Sequence, residues 1–460
     1  MEDFIIKSKR DFPAVEKLAM DETILAASEG LARPLVIGII REVIDKMKPR
    51  LGAEIPEISY IRFRRHIIDE INMALMKRIG RVINGAGILV HTNLGRAPLS
   101  ETLFDRIKSH ITGYGNLEFD VANGKRGRRG ELAEMYLALI SEAEAGTIVN
   151  NNAAAIFLIL NTLANKKKVL ISRGELVQIG GGFRIPDIIR KSGAKLMEVG
   201  TTNITTLDDY TSALEENPAI ILKVHRSNFA VSGFTDDVDL KTLIGLGRKS
   251  GIPVINDLGS GVLIDTTEFA GVKEPTVQGS VRDGAALTCF SGDKLLGGVQ
   301  AGLIVGAEDL VDRIKKNPVY RTVRVDKTIF SAVEEMLGYY LDGSWKENIK
   351  LWRLASVSES ELYVKGRKLL EQIDAGDKVL LEGSRAEMGG GALPEVPLPS
   401  VALVFRSQLR PTKIAELFRM SHPPVIGRIF EDRFMIDLKA IDDEDYDILA
   451  SIIKRLIPQI

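Results

Sequence analysis

Between residues 147 and 305 the chain alternates short β-branched apolar runs with longer stretches of helical periodicity. Few architectures accept that alternation. Seven runs stand out, at 147–149, 169–172, 196–199, 220–224, 254–256, 286–290 and 303–305, with helical candidates such as 239–249 between most of them. The pattern is that of βαβ units around a mainly parallel sheet, and right-handed crossovers place the helices on both of its faces. At 460 residues, 45% apolar and 27% charged, the chain has the composition of an ordinary globular protein and room for two or three domains.

The flanks read differently. Residues 1–80 carry apolar positions at helical spacing (Val15, Leu18 and Ala19, then Val36, Ile39, Ile40, Val43 and Ile44) and predict a small helical domain, broken at 48–57 by Pro49, Gly52 and Pro56. Arg62, Arg64, Arg65 and His66 form a basic cluster just beyond the break, the pattern of a solvated helix face. Helical periodicity returns at 308–373, and the Gly/Pro-rich stretch 383–399 reads as a hinge or long loop. A strand at 401–405, a helix at 412–420, a hairpin at 427–438 turning at Glu431 and Asp432, and a closing helix at 442–456 then predict a compact α+β unit. The expected domains are 1–80, 81–330 and 331–460.

Charge and cysteine usage narrow the function classes. With 61 basic and 62 acidic side chains the net charge is -1, so a nucleic-acid partner must be met by a local patch. One cysteine, Cys289, makes no intrachain disulfide and no thiolate-rich metal site, and five histidines lack metal-ligand spacing. No metal and a reducing cytoplasm are expected. No apolar run approaches the ~20 residues that span a bilayer, and the N-terminus has neither an apolar h-region nor a cleavage site for export.

The chemistry is concentrated at predicted strand ends. In CFSGDKLLGG a strand runs directly into a polar turn holding Lys294, and an amine that forms a Schiff base needs that kind of rigid, desolvated support. Asp257, in VINDLGSG, ends another buried strand, where a carboxylate is costly unless paired. Pyridoxal phosphate requires both groups, the amine for its aldehyde and the carboxylate for its ring nitrogen. A phosphate anchor is available in VNNNAAA, where Asn151, Asn152 and Ala153 open a helix with small side chains and exposed N–H groups. His225-Arg226-Ser227-Asn228 ends a further strand, with Asn228 a donor for the cofactor's phenolic oxygen, and the glycine-rich loop 178–184 follows the second strand. Ser291 follows the strand that leads to Lys294. Ligands of open α/β sheets bind at such carboxyl ends. Cys289 reads as a small buried strand residue.

Arginines form a second constellation: Arg96 in HTNLGRAPLS, Arg126, Arg128 and Arg129 in GKRGRRG, and Arg321 and Arg324 in NPVYRTVRVDK. Their guanidinium forks suit an oxyanion, either a small one or a nucleic-acid backbone.

Taken together, HTNLGRAPLS, VNNNAAA, SRGELVQIGGGFRIPD, VGTTN, KVHRSNF, NDLGSG, FSGDKLLGG, RVDK and PPVIGRI closely resemble the bacterial selenocysteine synthases, the L-seryl-tRNA(Sec) selenium transferases. The resemblance covers nearly the whole chain, including FPAVEKL in the N-terminal region, which is similar to the family's tRNA-binding domain. It implies an α/β, aspartate aminotransferase-like fold-type I enzyme with a seven-stranded mainly parallel sheet. It also implies conversion of L-seryl-tRNA(Sec) to L-selenocysteinyl-tRNA(Sec) with selenophosphate, by β-elimination to an aminoacrylyl intermediate and selenium addition. Lys294 would carry the cofactor and remove the α-proton, with Asp293 as a proton-handling neighbour. Arg96, Arg129, Arg321 and Arg324, and more loosely Arg126, match the family's oxyanion-binding arginines. Cofactor contacts fall to Lys294, Asp257, Asn151, Asn152, Ala153, Asn228, His225 and Ser291. The implied assembly is a homodecamer, a pentamer of dimers, in the cytoplasm and off the membrane. Ile204, Ala86 and Val299 depart from the family pattern. The competing reading is a related pyridoxal lyase acting on a small amino acid.

Overall fold

The seven apolar runs form one sheet, in a computed structural model that describes residues 3–179, 182–227, 231, 233–391, 393 and 396–460. Its strands are β1 (Ala145–Val149), β2 (Lys168–Ser172), β3 (Lys195–Val199), β4 (Ile220–Val224), β5 (Val254–Gly259), β6 (Leu287–Ser291) and β7 (Gly302–Gly306). Their order is β3-β2-β4-β5-β6-β7-β1, with β3 to β6 parallel to their neighbours and β7 antiparallel to both β6 and β1. The expected seven-stranded, mainly parallel sheet is therefore present.

Burial on both faces explains the unbroken apolar character of the central strands. Ile255, Leu287, Cys289 and Ile304 pack on one side against the helix Asn152–Leu163, while Leu258, Phe290, Leu303 and Val305 face Phe330, Val333, Met336 and Trp352 on the other. The last four lie in the helices Lys327–Leu341 and Lys350–Ser356, so the expected boundary at 330/331 falls inside a helix of the large core.

A second, smaller sheet joins Val379–Glu387, Pro397–Phe405, Arg433–Asp437, Val425–Phe430 and the early segment Ile83–Gly85. The helices Glu359–Ile373 and Tyr446–Leu456 share its apolar core. Glu431 and Asp432 both hold positive φ, as a two-residue hairpin loop that matches strand twist demands.

The stretch 383–399 departs from expectation. Gly383 through Glu387 pair residue by residue with Val401 back to Pro397, leaving 388–396 as the connection. Pro397 and Pro399 are accommodated because that end of the strand is paired on one side only, the second partner beginning at Ala402.

The chain divides into two compact units, Met1–Arg81 and Val82–Ile460. The first packs the helices Arg33–Met47 and Tyr60–Leu75 with two shorter ones, Val15–Leu18 and Glu22–Ala27. Asp21 caps Glu22–Ala27, accepts from the Tyr60 hydroxyl at 2.9 Å and pairs with Arg64 at 3.5 Å. Of the basic cluster, Arg64 is thus structural, while Arg62, Arg65 and His66 are exposed.

Candidate active site

β5 and β6 pair in parallel and end side by side, bringing together the two groups expected of a pyridoxal site. Asp257 leaves β5 buried at 4% exposure, and Lys294 sits three residues past Ser291, the last residue of β6, at 6% exposure. Burial pushes the Asp257 carboxyl above its usual range, opposed by a hydrogen bond from Asn152 and by the charge of Lys294. Burial likewise lowers the Lys294 ammonium, against the pull of Asp257. Burial thus works against the charged form of both groups. Cys289 lies opposite Asp257 across the β5–β6 ladder, and burial raises its thiol well above the usual value, which disfavours the thiolate.

The turn after Lys294 is braced from the core. Tyr340 donates to the Leu296 carbonyl at 3.0 Å and accepts from the Trp352 indole at 2.8 Å. Gly298 lies against the end of the buried Met336 side chain, which would have to move for a Cβ at that position.

Lys294 opens onto a cavity of about 230 Å³ lined by Arg96, Asn151, Asn152, Ala153, His225, Ser227, Asp257, Ser291 and Gln300, among others. Asn151 caps the helix Asn152–Leu163, its Oδ1 accepting from the Ala154 N–H at 2.8 Å. Asn152 donates to Asp257 at 2.8 Å, and its Oδ1 is buried with no partner among the described residues. The asparagine side chains are thus engaged with helix and aspartate, and the first-turn N–H groups are what this helix end offers to an anion. His225 takes its place through its backbone N–H, which donates to the Asp257 carbonyl at 2.9 Å. Its Nε2 lies 3.0 Å from Glu274 Oε1.

Of the five arginines expected to bind an oxyanion, the structure brings one to this cavity. Arg96 lines it and pairs with Asp293 at 2.8 Å, and the Ala97 N–H donates to the Asp293 carbonyl at 3.2 Å. Arg126 and Arg129 pair with Glu118, the former at 3.0 Å, and Arg129 also donates to the Val325 carbonyl at 2.7 Å. These arginines, Arg129 first, hold the Glu118 carboxyl below its usual range, with Arg324 adding to the field. Arg324 bridges Val149, and the Asn150 N–H donates to the Val323 carbonyl, so this segment abuts the helix start from outside the cavity. Arg321 is exposed.

Asn228 lies outside the described residues, as do Gly180 and Gly181 of the glycine-rich loop; none of that loop's described residues lines the cavity. Two contributors escaped the sequence reading. Glu274 carries no local motif. Gly391, in the connection between the first two strands of the small sheet, holds φ +81°, and a Cβ there would stand 2.8 Å from Lys294 Nζ. The triple glycine was the available signal, since backbone approaching a functional group this closely excludes side chains.

Comparison with known proteins agrees with this geometry. Residues 82–442 match the SelA family model, L-seryl-tRNA selenium transferase. The L-seryl-tRNA(Sec) selenium transferase of Aquifex aeolicus (strain VF5) is 42% identical over 92% of this chain and 94% of its own length. That of Geotalea daltonii (strain DSM 22248 / JCM 15807 / FRC-32) is 40% identical over 98% and 99%. Among solved structures, a D-glucosaminate-6-phosphate ammonia-lyase shares the fold, with a TM-score of 0.60 at 16% identity over 84% of this chain and 98% of the other. With a family model spanning most of its length and relatives at this identity from end to end, the chain belongs to the L-seryl-tRNA selenium transferase family.

Proposed function

We propose that this protein converts L-seryl-tRNA(Sec) to L-selenocysteinyl-tRNA(Sec), with pyridoxal 5′-phosphate as cofactor and selenophosphate as selenium donor. The observation that carries the reading is the buried Lys294 beside the buried Asp257 at one cavity. The residues present fit the cofactor. Asn152 Oδ1 borders the cavity as an unpaired buried acceptor, and the glycine backbone at 391 leaves the space beside the amine clear of side chains. When bound, pyridoxal phosphate supplies an electron sink for the bonds at the amino acid's α-carbon.

The chain's own residues divide the remaining tasks. Lys294, disfavoured as an ammonium by burial, is the nucleophile for the aldehyde and holds or moves a proton at Nζ. Asp257, oriented by Asn152, faces the ring nitrogen. The helix start at Asn151, Asn152 and Ala153 holds the phosphate through backbone N–H groups. Ser291 and His225, which line the cavity, would flank the ring. Asp293 aims Arg96 at the selenium donor's oxyanion. Arg126, Arg129, Arg321 and Arg324, which lie off the cavity of their own chain, serve a neighbouring subunit's site, in keeping with a homodimer repeated into a decamer. The unit Met1–Arg81 binds the tRNA, with Arg62, Arg65 and His66 of its second long helix meeting phosphate backbone. The described residues hold no helix long and apolar enough to cross a membrane, and we assign the enzyme to the cytoplasm.

The test is incubation with seryl-tRNA(Sec) and selenophosphate, followed by mild hydrolysis and identification of the released amino acid. Selenocysteine is expected. Serine alone, or ammonia release from a small amino acid in place of transfer, would defeat the reading.

A further inference from the structure

A further buried carboxylate reaches the site without any sequence signal. Glu274 is 4% exposed and stands 3.0 Å from His225 Nε2. The turn that carries it is fastened locally. The Glu274 N–H donates to the Thr266 hydroxyl at 2.9 Å, and that hydroxyl donates to the Val272 carbonyl at 2.7 Å. Thr266 is fully buried, so the carboxylate is held in place by its own backbone. A carboxylate removed from water needs a donor, and His225 is the only one that the Glu274 carboxylate has among the described residues. His225 in turn lines the Lys294 cavity and is tied by its backbone to Asp257. The charge on Glu274 also reaches Lys294, where burial lowers the ammonium and Glu274 is among the groups opposing it.

We infer that Glu274 is a positioning residue: its carboxylate accepts the Nε2–H of His225, selecting that tautomer and fixing the ring plane at the cavity wall. Nδ1 is then the unprotonated nitrogen, an acceptor rather than a donor. The consequence for catalysis rests on the reading of the site given above, but the tautomer does not. An imidazole steadied in this way presents one fixed face and one fixed acceptor to whatever the cavity holds, as a carboxylate does for histidines in metal and hydrolase sites.

The experiment uses full-length protein labelled with 15N-histidine, with and without pyridoxal phosphate, in magic-angle-spinning NMR at pH 8. Five histidines give a readable spectrum, and His225→Gln assigns the relevant pair of signals. The wild type should show a protonated Nε2 and an unprotonated Nδ1. Glu274→Gln keeps an acceptor and should preserve that pattern, while Glu274→Leu should lose it. With cofactor bound, Glu274→Leu should also alter the visible circular dichroism and lower kcat about tenfold or more, with KM for seryl-tRNA changed less than about twofold, the scale of losing a histidine's carboxylate partner elsewhere. An unchanged ring spectrum in Glu274→Leu overturns the inference, as does a wild-type ring protonated on Nδ1 or on both nitrogens. Should Glu274→Leu fail to fold, the wild-type spectrum alone decides. Since that spectrum is also recorded without cofactor, failure to bind pyridoxal phosphate would count against the proposed function and leave the inference to stand or fall by itself.

Discussion

Lys294 and Asp257 are both ionisable and both almost without water, and that shared burial sets what each is expected to do. Lys294→Ala should abolish the visible absorbance of bound cofactor and lower turnover by at least about 10²- to 10⁴-fold, the range for losing a positioned acid–base group. The Asp257 carboxyl is raised by burial above 3.8, so the folded chain holds a proton that the unfolded chain has already released. Its contribution to the stability of cofactor-free protein is therefore complete below pH 3.8 and is lost as pH rises through the folded-state value. A thermal midpoint measured against pH should fall across that window in the wild type and stay flatter in Asp257→Asn. Gly391→Ala places a methyl group against the amine on a backbone that L-residues adopt with strain, and should weaken cofactor binding in a spectroscopic titration while the protein stays folded. At this scale the sequence was most legible where a polar residue ends an apolar run, as at Asp257 and Lys294. Glu274 and Gly391 enter through tertiary contact between distant segments, which no local pattern encodes. The arginines read as anion binders from their motifs, yet in the fold only Arg96 lines the cavity while Arg126 and Arg129 pair with Glu118.

Individual elements owe their places to packing more than to propensity. The turn that follows Lys294 makes no secondary structure of its own, and the Tyr340–Trp352 pair secures it from helices that begin more than thirty residues downstream. Tyr340→Phe strips the donor from the Leu296 carbonyl and the acceptor from the Trp352 indole, both buried. It should cost about 1–3 kcal/mol in urea unfolding, the penalty for buried polar groups left unsatisfied. The central strands were readable because burial on both faces writes them as short unbroken apolar runs. The stretch 383–399 misled for the converse reason: glycine and proline read as breakers, yet a strand end with one free side tolerates them.

For the whole molecule, the proposed reading gives the two compact units separate tasks and divides one site between subunits. A chain lacking residues 1–81 should keep the visible cofactor band and lose affinity for tRNA(Sec) in a gel shift, while the intact protein's affinity should fall steeply with salt, as phosphate contacts require. Co-assembling Lys294→Ala with Arg324→Ala subunits should recover part of the activity that neither has alone, because one of the two pairings then has both a lysine and a neighbour's arginine. Assays on mixed assemblies check this, and no recovery would place Arg324 in the site of its own chain.

In the connection between the first two strands of the small sheet, the third glycine comes so near Lys294 that a Cβ there would crowd its amine. The proposed reactivity is thereby yoked to a layer whose described residues lend no side chain to the cavity wall. Loosening the seam between the layers, by a core substitution many residues away, would widen the berth around Nζ and admit water, so mutations that look purely architectural should surface as leakage of cofactor.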